Sequence, residues 1–406
     1  MYQLLKGLRV VEGASFVAGP TCGLYLAQYG AEVIRFDSIG GGPDFNRWPL
    51  SPQGPSFYWE GLNKGKKSVA LNLSSPEGRA LAVAIAAAPG DNAGLFVTNY
   101  PAEGFLSYEK LKAARSDIIC ARVMGWADAQ PGLDYTINAA VGVPYMNGPA
   151  GFDAPVNSAF PAWDFLTGAM AAFSLIAAER DRRTSGQGRE IRLPLADFAA
   201  TSLANMGMLA EVMFSGEDRP RIGNSIFGAF GRDFASRDGK RVMIVSITGR
   251  QWSGLLSVLG VTEDVATLEA ELGVSFAADE GLRFTHQDRL FPIIEAGMAR
   301  QDMDQLAPAF DAAGVCWGPY QTLREAVAGD ERLFTANPVF SPVTHPSGET
   351  YPTPGAAATI TPDVRAPATP APRLGQHTEE VLSGVLGLPS GEIARLFDAG
   401  VAAPAA

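Results

Sequence analysis

The stretch "LRVVEGASFVAGPTCGLYLAQYGAEVIRFD", residues 8–37, decides the fold of this chain. An apolar run, LRVVEGA, is followed by a turn at Gly19-Pro20, by a helical segment, CGLYLAQYG, and by a second apolar run, AEVIRFD. Short apolar runs bounded by Gly and Pro are typical of buried strands. A strand, a helix and a second strand in this order predict the beginning of a parallel sheet.

The same alternation continues beyond residue 37. Apolar runs at 68–73, 93–100 and 117–125 alternate with helical patterns at 75–88 and 107–115. Because parallel strands need helical crossovers between them, this order predicts a doubly wound sheet. We therefore assign the chain to the α/β class, with a large Rossmann-like domain built on a parallel sheet.

The pattern changes character near residue 225. Before it, residues 165–183 predict a helix, 189–195 a strand and 199–215 a Met-rich helix. After it, two short strands flank the turn Arg237-Asp238-Gly239, and helices follow at 250–260 and 290–312. We predict a large domain over 1–224 and a smaller α+β domain over 225–334. Residues 335–406 form an extended linker, rich in Pro, Thr and Ala over 335–372, and two short helices.

Composition and charge exclude several classes of protein. The chain has 406 residues, of which 47% are hydrophobic and 18% are charged, as in ordinary globular proteins. Its net charge of −11 argues against nucleic acid as a partner, since such binding needs a basic face. No apolar run approaches the roughly 18 residues of a membrane helix, and no signal peptide is recognisable. We expect a cytoplasmic protein that does not bind a membrane.

Cysteine and histidine are too sparse for a metal centre. Cys22, Cys120 and Cys316 match no CxxC pattern, and the three histidines are scattered. The stretch IGGGPDF lacks the GxGxxG nicotinamide fingerprint. We therefore expect no metal and no redox cofactor.

The basic stretch GLNKGKKS, residues 61–68, invites comparison with a phosphate-binding loop. It has one residue too few between its glycines for the P-loop pattern. Its lysines Lys64, Lys66 and Lys67 are compatible with a surface turn or with a patch that contacts a phosphorylated ligand, and the sequence leaves both open.

One carboxylate stands out by its isolation. Asp164 lies in PAWDFLTGAMAAF, at the start of an apolar helix, and the next acid is Glu179. Asp is a favoured N-cap residue, which gives a purely structural interpretation. A carboxylate at an apolar helix start is also poorly hydrated and available as a nucleophile, which gives a catalytic one. The two interpretations are compatible.

Blocks along nearly the whole chain carry a family resemblance. They are LKGLRVVEGASFVAGP, AEVIRFDSIGGGPDFNRW, LNKGKKSVALNLSSPEGR, FVTNYPAEGF, PAWDFLTGAMAAFSLIAAERDRRTSGQGREIRL, GNSIFGAFGRDFASRDGKRVMIV and APRLGQHTEEVLSGVLGL. In order and spacing, these blocks resemble the class III CoA-transferases, also called the CaiB/BaiF or formyl-CoA transferase type. The resemblance implies an interlocked homodimer, in which N- and C-terminal segments together form the large domain.

The resemblance also implies roles for particular residues. Asp164 would be the catalytic carboxylate that is acylated during turnover. Coenzyme A, which enters as part of the substrate, would contact Val17, Ala18, Arg35, Lys64, Leu71, Ser74, Asn99, Tyr100, Met124, Gly125 and Trp126. Arg47 would bind the distal carboxylate of the substrate, because a guanidinium group pairs with a carboxylate in bidentate fashion.

Two features narrow the expected reaction. Racemases of this family use a His that falls at Leu133 here, in GLDYTIN, and leucine cannot carry a proton. The stretches RFDSIGGGPDFNRWP, VGVPYMNGP and RPRIGNSIFGAFGRDF resemble family members that move CoA between two carboxylates of one acid. We expect an acyl-CoA thioester of a dicarboxylic acid as substrate and an aspartyl-CoA intermediate. Transfer between two different acids, thioester hydrolysis and non-catalytic acyl-CoA binding remain the alternatives.

Overall fold

A seven-stranded sheet organises most of the chain. A computed structural model describes residues 1–405. The strands of the sheet are β1 (Arg9–Gly13), β2 (Glu32–Ser38), β3 (Lys67–Leu71), β4 (Leu95–Thr98), β5 (Ile119–Met124), β6 (Arg189–Pro194) and β12 (Ala402–Ala403). Their spatial order is β12-β3-β2-β1-β4-β5-β6. The α/β class predicted from the alternation is confirmed.

The direction and order of the strands fix where a ligand can bind. All neighbours pair in parallel except β12, which runs antiparallel to β3 with Ala402 opposite Leu71. The order 3-2-1-4-5-6 is that of a Rossmann-like sheet, and the connection reverses its direction between β1 and β4. In open sheets of this type, ligands bind beyond the carboxyl ends of the strands at this reversal.

One face of the sheet is covered by two helices that cross closely. They are α1 (Ala18–Gln28) and α7 (Ala162–Ser185). At the crossing, a Cβ on Gly168 would lie 2.6 Å from the carbonyl oxygen of Ala18, so only glycine permits this approach. The predicted helix at 165–183 is confirmed, and its first turn lies beside the start of α1.

The other face is covered by helices from both ends of the chain. They are α3 (Pro76–Ala86), α4 (Tyr108–Ala114), α16 (Thr378–Gly384) and α17 (Ser390–Asp398). Val381, Leu382 and Leu396 are almost fully buried in one core with Ile34 and Phe96. The C-terminal helices therefore belong to the same compact unit as the sheet. The remaining helices of this unit are α2 (Phe57–Asn63), α5 (Asp134–Ala140), α8 (Leu195–Asn205) and α9 (Met208–Ser215).

A second compact unit comprises residues 142–157 and 216–335. Its antiparallel sheet has the order β7 (Phe230–Ala235), β8 (Arg241–Ser246) and β9 (Cys316–Pro319). Its helices are α6 (Val143–Met146), α10 (Gly249–Leu259), α11 (Thr262–Leu272), α12 (Glu280–Thr285), α13 (Gln287–Met298), α14 (Met303–Ala313) and α15 (Leu323–Gly329), with a π-helix at Glu331–Thr335. Phe230, Trp252 and Phe310 lie in its core. The predicted division at 224 and 334 stays a prediction.

Three local predictions were wrong. The segment predicted as one helix at 199–215 belongs to two helices, α8 and α9, and the segment predicted as one helix at 290–312 belongs to α13 and α14. The segment predicted as an extended linker contains an antiparallel hairpin, β10 (Phe340–Thr344) and β11 (Thr350–Pro354). The hairpin is fastened to α2 because the buried carboxylate of Glu60 accepts hydrogen bonds from the backbone N and Oγ of Ser347 and from the Tyr351 hydroxyl. Contacts between residues almost 290 positions apart leave no local pattern.

None of the helices among residues 1–405 is both long and apolar enough to cross a membrane.

Candidate active site

A cleft of about 760 Å³ opens at the carboxyl edge of the sheet, where the strand order reverses. Its size lies in the range of small-molecule binding sites. Its walls come from the segments after β1, β4 and β5 and from the starts of α1, α7 and α8. It is lined by Ser15, Phe16, Val17, Ala18, Gly19, Asn99, Tyr100, Pro101, Ala102, Glu103, Arg122, Val123, Met124, Gly125, Ala129, Gln130, Pro131, Gly132, Leu133, Asp164 and Leu195.

The turn between β1 and α1 is held in an unusual conformation. Phe16 has a φ of +69°, which side-chain-bearing residues rarely adopt. Two side chains hold the turn. Asn99 exchanges hydrogen bonds with the backbone of Ser15, and the carboxylate of Asp44 accepts one from the backbone N of Phe16 at 3.1 Å. Such strain persists only where its surroundings enforce it, as they often do in functional sites.

The start of α1 presents unpaired donors to the cleft. The first N–H groups of a helix have no acceptor within it. Ala18 and Gly19 are the first two residues of α1, and both line the cleft. Pro20, the third residue, has no N–H to offer. The start of α1 is therefore suited to stabilise negative charge that develops in the cleft.

Asp164 is the third residue of α7, and it does not cap its own helix. The N-cap position is Pro161. The helix start is instead capped from α5, because Oδ2 of Asp134 accepts hydrogen bonds from the backbone N of Trp163 at 2.7 Å and of Asp164 at 3.0 Å. The capping interpretation of Asp164 was therefore wrong. Among residues 1–405, no hydrogen-bond donor reaches the Asp164 carboxylate.

The electrostatic surroundings of Asp164 favour its neutral form. Burial, and then the neighbouring Asp134 carboxylate, raise the pKa of Asp164 from an ordinary 3.8 to about 7. The guanidinium group of Arg47 opposes this shift and lowers the pKa. The carboxylate is therefore only about half ionised near neutral pH, and its charged form is poorly stabilised.

Arg47 approaches the cleft from the loop between β2 and α2. Its exposed guanidinium group lies over two rings, 5.7 Å from the centroid of Phe16 and 5.5 Å from that of Tyr58. Burial raises the pKa of Tyr58 to about 12, so its hydroxyl stays protonated beside Asp164. These contacts place one cation and one neutral donor near the carboxylate.

Arg35 does not reach the cleft, which corrects its predicted role in binding CoA. Its side chain is 1% exposed. The guanidinium group donates to the carboxylates of Asp37, Asp44 and Glu12 and to the amide oxygen of Asn63. Since Asp44 also holds the backbone of Phe16, Arg35 supports the turn from below the surface.

Four other predicted CoA contacts also lie outside the cleft lining. Leu71 is fully buried at the end of β3, and Ser74 is exposed in the turn before α3. Trp126 is half-buried, with its indole against Gly132. Lys64 is buried and donates to the carbonyl of Gly61, and burial lowers its pKa to about 8. Seven predicted residues lie in the cleft lining, and they are Val17, Ala18, Asn99, Tyr100, Met124, Gly125 and Asp164. Arg47 is not in the lining, and it contacts the ring of the lining residue Phe16.

Two residues of the site escaped the sequence analysis. Phe16 gave no signal, because its backbone conformation follows from contacts with Asn99 and Asp44. Asp134 follows Leu133 in GLDYTIN, but nothing local connects it with α7, 30 residues away. Leu133 itself lines the cleft, so the position of the racemase base is occupied by an apolar side chain.

No group of three or more His, Cys, Asp or Glu side chains within residues 1–405 could hold a metal ion.

The sheet order defines a Rossmann-like protein whose cleft lies at the reversal of strand order. Comparison with known proteins gives the family. Residues 5–378 match CoA-transferase family III, and the chain belongs to this family.

Individual relatives are similar along their whole lengths. The chain is 45% identical to 2-methylfumaryl-CoA isomerase from Chloroflexus aurantiacus over 404 residues, which cover 99% of this chain and 98% of the relative. It is 28% identical to succinyl-CoA–D-citramalate CoA-transferase from the same organism, covering 97% and 96%. A crystal structure of a CaiB/BaiF family protein from Brucella suis has the same fold, with a TM-score of 0.75, 24% identity and coverage of 95% and 100%.

Proposed function

We propose that the chain is a 2-methylfumaryl-CoA isomerase, which moves CoA between the C1 and C4 carboxylates of mesaconate. The observation that carries the proposal is the carboxylate of Asp164, which lines the cleft free of hydrogen bonds in a chain 45% identical to an enzyme of that name. The substrate is 2-methylfumaryl-CoA, and the product is 3-methylfumaryl-CoA.

The reaction proceeds by exchange of acyl groups on Asp164. The ionised carboxylate attacks the thioester carbonyl carbon, and the C–S bond breaks to give a mixed anhydride and CoA thiolate. The thiolate then attacks the Asp164 carbonyl carbon and releases mesaconate, which leaves an aspartyl-CoA thioester. The other carboxylate of mesaconate attacks that thioester, and the same two steps run in reverse.

Each attack passes through a tetrahedral oxyanion. The N–H groups of Ala18 and Gly19 at the start of α1 are suited to bind it, because they have no acceptor within the helix. One such donor typically contributes about 3 kcal/mol to catalysis. The strained turn at Phe16 precedes these groups and sets their direction.

Two side chains define which acid is accepted. Arg47 binds the free carboxylate of the dicarboxylic acid, since its guanidinium group is exposed and carries no ion pair among residues 1–405. Leu133 supplies an apolar wall where a second base would be needed to exchange an α-proton. The site therefore transfers CoA without altering the carbon skeleton.

The energetic demand on the protein is mainly positional. One thioester replaces another, so the overall change in free energy is small. Holding the reacting groups together can lower the barrier by roughly 7–11 kcal/mol. A cleft that retains the free diacid would favour transfer within one molecule over exchange with free acid.

We also propose that the enzyme is an interlocked homodimer in the cytoplasm. Helix α9 buries none of its residues, and Met213 and Phe214 are 71% and 91% exposed. Exposed apolar side chains of this size are typical of surfaces that associate. A sedimentation mass of one chain rather than two would refute the dimer.

Mass spectrometry of the Asp164 peptide tests the mechanism. After brief incubation with 2-methylfumaryl-CoA and acid quenching, the peptide should gain the mass of CoA less one water. Hydroxylamine added during turnover should convert the same residue to a hydroxamate. An unmodified Asp164 in an enzyme that turns over the substrate would refute the covalent route.

Transfer between two different acids is the second candidate. It is favoured by the resemblance to succinyl-CoA–D-citramalate CoA-transferase. Incubation with isotopically labelled free mesaconate separates the two. Intramolecular transfer leaves the CoA esters unlabelled, whereas intermolecular transfer carries the label into them. Release of free CoA would instead indicate a thioesterase.

A further inference from the structure

We propose that Asp134 is the positioning residue of this active site, holding the nucleophile by its backbone while opposing its negative charge. This inference rests on the proposed function of Asp164 as the acylated residue. Asp134 contacts neither the acyl group nor the sulfur in the mechanism above. Its effect is exerted entirely through Asp164.

The geometry assigns the holding role. Asp134 is 2% exposed and is the first residue of α5. Its Oδ2 accepts both free N–H groups at the start of α7, and one turn later on α5 the amide oxygen of Asn138 accepts the indole N–H of Trp163 at 3.1 Å. Two side chains of α5 thus fix the backbone and ring immediately before the nucleophile. An N-cap supplied from another helix leaves the Asp164 side chain free for chemistry.

The same arrangement places two carboxyl groups close together. Two charged groups act on Asp164, namely Asp134 from α5 and Arg47 from the loop before α2. The hydroxyl of Tyr58 on α2, whose pKa Asp164 helps to raise, is neutral. The pKa of Asp134 is itself raised, because burial outweighs the two backbone hydrogen bonds that favour its ionised form. When it is ionised, Asp134 is the neighbouring carboxylate whose negative charge raises the pKa of Asp164.

Acylation removes this repulsion. When the Asp164 oxygen forms its bond to the acyl carbon, the electron pair of the broken C–S bond leaves with CoA thiolate. When the thiolate attacks the Asp164 carbonyl carbon, its negative charge passes to the mesaconate carboxylate that is released. In both covalent states the Asp164 side chain is neutral. Asp134 therefore destabilises the resting carboxylate relative to the adducts, which raises both its nucleophilicity and the adduct population.

Neutral substitutions that keep the cap test the charge. Asp134→Asn and Asp134→Ser each retain an oxygen that can accept the two N–H groups. We expect the midpoint of the pH dependence of adduct formation to fall by about 1 pH unit, because a like charge has been removed. The steady-state fraction of aspartyl-CoA should fall severalfold. Asp91→Asn, which removes an exposed carboxylate in the loop before β4, should change neither quantity.

A second measurement follows the stability of the protein and not its turnover. A carboxyl group whose pKa is raised on folding binds more protons in the folded state, so stability falls as pH rises from about 4 to about 7. The Asp164→Asn variant has no carboxyl group to ionise at this position, so its stability does not fall in this way as the pH rises. It should unfold at a higher temperature than the wild type at pH 8 but not at pH 4. When Asp134→Asn is already present, the rise in unfolding temperature caused by Asp164→Asn at pH 8 should be smaller.

The outcomes separate this inference from the proposed function. If the wild type forms no adduct, the proposed function fails, whatever the variants do. If the wild type forms it and Asp134→Asn and Asp134→Ser leave the pH midpoint and the adduct fraction unchanged, the role of Asp134 is overturned. An equal rise in unfolding temperature from Asp164→Asn at pH 8 in the wild-type and Asp134→Asn backgrounds overturns it as well.

Discussion

Two groups of buried acids near the cleft differ in how far neighbouring cations compensate their negative charge. Around Arg35, three carboxylates are matched by two cations, because Lys66 donates to Glu12, Asn63 and the carbonyl of Pro20 while Arg35 donates to the acids. At the start of α7, the Asp134 carboxylate raises the pKa of Asp164, and among residues 1–405 Arg47 is the cation that lowers it.

The difference separates a structural role from a catalytic one. A buried carboxylate with cationic partners and hydrogen bonds has its charge compensated and is a poor nucleophile, although burial still raises the pKa of Glu12. A buried carboxylate without donors is unstable as an anion, and it gains by forming a covalent bond. The supporting cluster holds the Phe16 turn through Asp44, whereas the uncompensated pair carries the reaction.

The largest expected effect is the loss of the unpaired carboxylate. Asp164→Asn removes the attacking oxygen, and turnover of 2-methylfumaryl-CoA should fall about 10³-fold or more, with CoA-ester binding largely retained. The conversion can be followed by chromatography of the two esters. Asp181→Asn, an exposed acid of the same helix, is the matched control and should retain activity. Substantial activity of Asp164→Asn contradicts the nucleophile.

Breaking the compensated cluster should cost stability. Lys66→Met leaves the Glu12 carboxylate with Arg35 as its remaining cation, and removal of one partner from a buried ion pair typically costs about 3–5 kcal/mol. Urea unfolding measures this loss. Arg395→Met, which breaks exposed pairs with Glu77 and Glu392, should leave the urea midpoint unchanged. A similar midpoint for both variants would show that the cluster is dispensable.

Arg47→Met sharpens the comparison, because it removes the positive charge that acts on Asp164 beside Asp134. Because Arg47 lowers the pKa of Asp164, its removal should move the onset of activity from about pH 7 to higher pH. Loss of its charge-assisted contact with the substrate carboxylate should lower kcat/KM by about 10–100-fold. Arg47→Lys retains the charge and should keep the pH profile. A profile that shifts to lower pH in Arg47→Met would contradict the assigned electrostatics.

The smallest expected effect is on stability, and it concerns a buried carboxylate whose hydrogen bonds come from neutral donors. Glu60 accepts hydrogen bonds from Ser347 and from the hydroxyl of Tyr351, with no cation among these contacts. Tyr351→Phe removes one donor and should lower the free energy of unfolding by about 1 kcal/mol, without affecting turnover. Tyr108→Phe provides a matched control. Loss of activity in Tyr351→Phe would show that the hairpin acts on the cleft.

Strands β1 to β5 could be predicted from the sequence, because each is a short, mostly apolar run between turn residues, whereas the two-residue strand β12 was not predicted. The helix that carries Asp164 could also be predicted, from its run of small and apolar residues. The hairpin at 340–354 was missed, since Pro342, Pro352 and Pro354 disfavour strands and its attachment depends on Glu60. Asn99 and Met124, which the family resemblance assigns to CoA contact, both lie in the cleft lining, because they follow or end strands at the carboxyl edge. Their contact with CoA stays a prediction.

The sequence by itself determined the alternation of strands and helices, the family and the identity of the isolated acid, because these depend on neighbours in the chain. Only the tertiary structure decided that Asp134 caps α7, that Arg35 pairs with buried carboxylates and that Phe16 is held at positive φ. The physical reason is that burial and electrostatic interaction depend on distance in space. The pKa and the reactivity of a carboxylate depend on which charges and hydrogen-bond donors the fold places next to it and on which it keeps away.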